Sequence, residues 1–148
     1  MNSVEVLIVE DNPHDLEMTL RALRKHRLAN QIVAVSDGVA ALDFLFGRGE
    51  YAGRDANAPP TVIFLDLKLP KIDGIEVLRQ VRDNPRTRNT PVVMLTSSAE
   101  DRDRLETYDL GVNSYVVKPI EFDAFARTIA DLGFYWLAVN SPPPESGR

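Results

Sequence analysis

Five polar side chains stand where hydrophobic runs stop. Glu10 and Asp11 follow "VEVLIV", Asp66 follows "TVIFL", Thr96 closes "PVVMLT", and Lys118 follows "SYVV". If the fold gathers these residues on one rim, three carboxylates ~5 Å apart at an effective dielectric of about 20 repel by roughly 3 kcal/mol per pair. Such a cluster calls for a cation, and hard oxygen ligands at an open site point to Mg²⁺. A carboxylate beside a metal ion and a lysine is poised to attack phosphorus and become an aspartyl phosphate, which marks Asp66 as the nucleophile. Phosphoryl transfer needs positioning and charge neutralisation above all. The metal would serve one phosphoryl oxygen, Lys118 a second and the Thr96 hydroxyl a third. Each acid alone has a plainer reading as a helix N-cap, Asp11 before "NPHD" included. The full set on adjacent strand ends does not.

The elements that must position these groups are legible in the spacing. Residues 4–9, 31–35, 61–65, 91–96 and 114–117 are short β-branched or apolar runs, several of them apolar throughout, as in parallel strands covered on both faces. Between them lie stretches with helical spacing: Leu16, Leu20 and Leu23; Val39, Leu42 and Phe46; Ile75, Leu78 and Val81. The last helix carries Phe122, Phe125, Ile129, Leu132 and Trp136 along one expected inward face. Asp37 and Asp73 are placed to cap helices, and Gly111 to end one at positive φ. Five β-α repeats predict an α/β three-layer sandwich with a parallel sheet. The order expected is 2-1-3-4-5, the flavodoxin-like (βα)5 arrangement, whose ligands sit at the carboxyl ends where strand order reverses, between the first and third strands.

Composition narrows the function classes. The 148 residues form one domain's worth of chain, 44% apolar and 26% charged, an ordinary globular balance. A net charge of −5 argues against nucleic acid or an anionic membrane surface as partner. The absence of cysteine removes disulfides, thiolate metal sites and cysteine nucleophiles, and fits a reducing compartment. The start, "MNSVEVLIVED", reads as neither a signal peptide nor a membrane span, so the expected location is cytoplasmic. Residues 1–139 read as a single domain with an extended last helix, and 140–148 as a disordered Pro-rich tail.

The segments "LIVEDN", "FLDLKLPKIDG", "VVMLTSSA" and "SYVVKPI" resemble, in order and separation, the receiver domain of two-component response regulators. The resemblance covers about residues 4–137. It implies that Asp66 accepts phosphate from a sensor histidine kinase. Asp11 would contact Mg²⁺ directly, Glu10 largely through water, and the backbone carbonyl of Lys68 would be a further ligand. Thr96 would be the switch hydroxyl, Tyr115 the switch aromatic, and Lys118–Pro119 a cis peptide, an isomer only proline makes cheap. The side chain of Lys68 would lie near the phosphoryl group. The readout would pass through the fourth helix, fifth strand and fifth helix. With no output domain in the sequence, the signal would go to another molecule, either a downstream target or a histidine phosphotransfer protein. The loop "DFLFGRGEYAG" and the finish "LGFYWLAV" are similar to small single-domain regulators that partner bacterial phytochromes.

Other readings remain beside this one. Tyr115 could be a half-buried edge aromatic. Phe134, Tyr135 and Leu137 spread around the last helix and could be simple packing or an isologous homodimer contact. His14, His26 and the "RKHR" run read as surface groups. A phosphatase with an aspartyl intermediate would want a second Asp at position 68, which is Lys, and a nucleotide fold would want a Gly-rich loop after the first strand. A phosphate-independent receiver-like binding module would have little use for the intact acid set, Thr96 and Lys118.

Overall fold

The computed structural model describes residues 4–29, 31–119 and 121–144. Strands and helices alternate as β1 (Val6–Val9), α1 (Pro13–Lys25), β2 (Ile32–Val35), α2 (Gly38–Phe46), β3 (Val62–Leu65), α3 (Gly74–Asp83), β4 (Val92–Thr96), α4 (Asp101–Asp109), β5 (Ser114–Val117) and α5 (Phe122–Phe134). The strands pair in parallel in the order β2-β1-β3-β4-β5, as the repeat pattern predicts. Every residue of β1, β3 and β4 is buried, and alternate residues enter opposite layers. Leu7, Val9, Ile63, Leu65 and Met94 pack with α2 and α3, whereas Val6, Ile8, Val62, Phe64 and Leu95 pack with α1 and α5. With both faces covered, the strand ends are where polar side chains can emerge. Among the described residues, no helix is long and apolar enough to cross a membrane.

Local chemistry sets the boundaries. Asp37 and Asp73 cap α2 and α3 by accepting from the N–H groups of Ala40 and Glu76. Gly111, at φ 89°, turns the chain after α4. Asn12, not Asp11, caps α1 by accepting from Asp15 N–H, so the capping reading of Asp11 does not hold. The long segment before β3 has its own anchors. The Arg54 guanidinium lies 3.9 Å above the Phe44 ring and donates to the Phe44 carbonyl, and Tyr51 meets the same ring edge-on.

Two expectations about the last helix change. Phe122 is 49% exposed, so the inward face begins at Phe125 and continues through Ile129 and Trp136. Position 122 opens the helix, where no turn precedes it to fix which side it joins. After Phe134 the helix widens into a π-helical turn, Tyr135–Val139, closed by a bond from Asn140 N–H to the Tyr135 carbonyl. Residues 141–144 have no regular secondary structure, and the rest of the expected tail lies outside the described residues. Pro142, Pro143 and Pro144 line a cavity of about 530 Å³ with Pro59, Pro60 and Pro91, at the amino ends of β3 and β4.

Arg82 holds that end of the molecule. Its guanidinium donates to the carbonyls of Gly111 at 2.9 Å and Thr90 at 2.8 Å, and to Asn113 Oδ1 at 2.8 Å. Asn113 Oδ1 in turn accepts from Val92 N–H, so α3, β4 and the α4–β5 turn meet at one fork. Lysine cannot reproduce that planar geometry. Arg82→Lys is therefore expected to lower the stability by about 1–3 kcal/mol, and Arg82→Ala by at least as much, read by urea denaturation.

Candidate functional site

The register of the sheet builds the site. Val9 pairs with Leu65, so Glu10 and Asp66, each one residue further on, leave β1 and β3 side by side. Thr96 pairs with Val117 across β4 and β5, which places Lys118 just beyond the hydroxyl. Oxygen atoms of Glu10, Asp11 and Asp66 all lie within 4.8 Å of one another. Glu10 and Asp66 are buried and Asp11 is exposed, so the group opens to solvent on one side. An all-carboxylate donor set of this kind suits a hard divalent cation.

Lys118 supplies the opposing charge. Its Nζ donates to Glu10 Oε1 at 2.6 Å, Asp66 Oδ2 at 3.0 Å and Asp15 Oδ2 at 3.0 Å. Asp15, in the first turn of α1, escaped the sequence reading, because an acid there looks like an ordinary complement to a helix N-terminus. Glycine allows the loop after Asp66 to close tightly. A Cβ at Gly74 would stand 2.3 Å from the Asp66 carbonyl oxygen, and one at Gly38 would stand 1.9 Å from that of Ile72. Lys71, at φ 68°, turns the same loop. Beside Lys118, a cavity of about 220 Å³ lies between α1 and α5, lined by His14, Met18, Ser97 and Phe122 among others.

Residues 6–130 match the response regulator receiver domain. The chain belongs to this family. Among its relatives is the probable methanogenesis regulatory protein FilR2 of Methanothrix harundinacea, 41% identical over 93% of this chain and 86% of that one. The phosphorylated cyanobacterial phytochrome response regulator RcpA is similar in structure, with a TM-score of 0.88 at 33% identity over 97% of this chain and all of that one. The bacteriophytochrome response regulator RtBRR is 51% identical, with a TM-score of 0.76 over 97% of this chain and 86% of that one.

In this receiver Thr96 is fully buried, and its Oγ1 accepts from Ser98 N–H at 3.3 Å. Tyr115 is half-buried, and its hydroxyl donates to the Ser98 carbonyl at 2.9 Å. The Lys68 N–H donates to Asp66 Oδ1 at 3.4 Å, but its side chain turns away to Asp103 on α4. No cis peptide bond occurs among the described residues, so Lys118–Pro119 is trans, against expectation. The two X-Pro isomers differ by only about 0.5–1 kcal/mol, and residue type alone does not choose between them. Phe134 and Tyr135 are exposed, whereas Leu137 packs partly against the core under α1 and α5.

Burial, joined by the charge of Asp66, pushes the Glu10 carboxyl up to about 7 against the opposing pull of Lys118. Burial of Lys118 works to lower its pKa, but the hydrogen bond to Glu10, the charge of Asp66 and the bond to Asp15 outweigh it, and the net shift is upward. Because Glu10 holds its proton more tightly folded than at its ordinary 4.5, its contribution to metal-free stability falls as pH rises from 4.5 to about 7, then levels off. Between about pH 5 and 8 in chelator, wild type should lose stability relative to Glu10→Gln as pH rises. A saturating divalent cation should remove that slope. Urea denaturation of both proteins reads the difference.

Proposed function

We propose that this receiver takes a phosphoryl group onto Asp66 from a sensor histidine kinase, with a bacterial phytochrome as the sensor and the cytoplasm as its place of work. The observation that carries the reading is the Asp66 carboxylate, 3.0 Å from the Lys118 ammonium and grouped with two further acids at the carboxyl rim of the sheet. Kinship with RcpA and RtBRR supports the phytochrome assignment.

Glu10, Asp11, Asp66 and the backbone carbonyl of Lys68 would hold Mg²⁺. When bound, the ion supplies charge neutralisation at the phosphoryl oxygens. A carboxylate oxygen of Asp66 attacks phosphorus, the P–N bond to the donor histidine breaks, and the imidazole leaves with its electron pair. Lys118 stabilises a phosphoryl oxygen, and Thr96 and Tyr115 respond to the new charge. A shift between two packings then alters the face formed by α4, β5 and α5. No residue is placed to turn over a free substrate, so the chemistry stays on the chain itself.

Incubation with a small phosphodonor and Mg²⁺ should add one base-labile phosphoryl group, seen by intact mass. Asp66→Asn should gain none, and a persisting gain would move the acceptor elsewhere. The surface formed by Phe134, Tyr135 and Val139, each about half exposed, supports a homodimer through the end of α5, to which Leu137 would add only its uncovered part. Sedimentation should then show a dimer that Tyr135→Glu weakens at least tenfold. A monomer at high concentration, with and without phosphoryl analogue, would remove the dimer.

A further inference from the structure

The inner face of α4 is polar. Its buried residues are Asp103 and Thr107, while Leu105 and Tyr108 are exposed at 66% and 50%. Such a helix draws little hold from apolar burial and depends on the partners of Asp103. Oδ2 of that carboxylate accepts from Ser98 Oγ at 2.6 Å and lies 3.8 Å from Lys68 Nζ. Ser98 also touches both Thr96 and Tyr115. Lys68 stands two residues after Asp66 and donates its own N–H to that carboxylate. A continuous polar path thus leads from Asp66 through Lys68 and α4 to the two residues expected to switch.

We propose that Asp103 is a positioning residue for Lys68: it holds the ammonium on α4, and a phosphoryl group on Asp66 competes for it. The proposal rests on Asp66 being the phospho-acceptor. The Lys68 side chain is 69% exposed on a flexible stem, so little besides Asp103 fixes its direction. A phosphoryl group offers more charge and three acceptor oxygens. Once Lys68 leaves, Asp103 is left as a buried carboxylate on Ser98 alone, which favours displacement of α4. The pair therefore opposes the phosphorylated conformation, and removing it favours that conformation.

Calorimetric titration with beryllofluoride and Mg²⁺, a phosphoryl analogue, tests this on wild type, Asp103→Asn, Lys68→Met and the double variant. Asparagine keeps the shape and an acceptor for Ser98 Oγ, and Lys68 is a surface side chain, so each variant is expected to fold. Asp103→Asn should bind the analogue about two- to fivefold more tightly, the scale of one partly exposed ion pair. In the Lys68→Met background the same substitution should bring no gain. No gain in either background, or an equal gain in both, overturns the positioning role while leaving the phospho-acceptor reading intact. Wild type that fails to bind the analogue overturns that reading, and the positioning role with it.

Discussion

The Lys118 ammonium sits within 3.0 Å of carboxylates from β1, α1 and β3, and the polar end of the molecule is arranged around it. The sheet is buried on both faces, so charged groups collect where the strands stop. Without an interior cation, Glu10 and Asp66 would meet as like charges in surroundings poor in water. Lys118 comes from β5, at the sheet edge, and reaches across the ends of β4 and β3 to do this. One side chain thereby fastens α1 to the centre of the sheet, and the same contacts set the charge balance on the site.

Much of this was legible before any coordinates. Strand order and register follow from apolar runs and right-handed crossovers, and together they bring Glu10, Asp11 and Asp66 to one place. Capping by Asp37 and Asp73 was legible because a short acid before a helical pattern has few other uses. Less legible were residues whose role depends on tertiary direction. Asp103 lies among Asp101, Glu106 and Asp109 in a helix whose composition looks uniformly solvated, and only the fold turns that one acid inward. Asp15 was hidden for a related reason, since a surface acid and a partner of Lys118 look alike in sequence. The placement of Phe122 and the isomer of Lys118–Pro119 depend on surroundings that neither residue specifies.

The helices differ in how they are fixed. α1 and α5 share a continuous apolar layer with Ile8, Phe64 and Leu95, and shifting either would expose it. α4 is tied by hydroxyl and carboxylate contacts, which can exchange partners at modest cost. A signal arriving at Asp66 therefore meets a rigid side and a compliant side. The compliant side is the one touched by Lys68, Ser98 and Tyr115.

The π-helical turn at Tyr135–Val139 has a consequence for evolution of the carboxyl end. It accommodates one residue more than an ordinary turn, and each helical residue advances the chain by about 100° of rotation. Losing a single residue there would relax the bulge and swing whatever follows about a third of the way round the helix axis. Pro142, Pro143 and Pro144 would then leave the prolines at the far end of the sheet. A one-codon deletion could thus re-aim the terminus, and any module joined to it, without altering the phosphorylation chemistry.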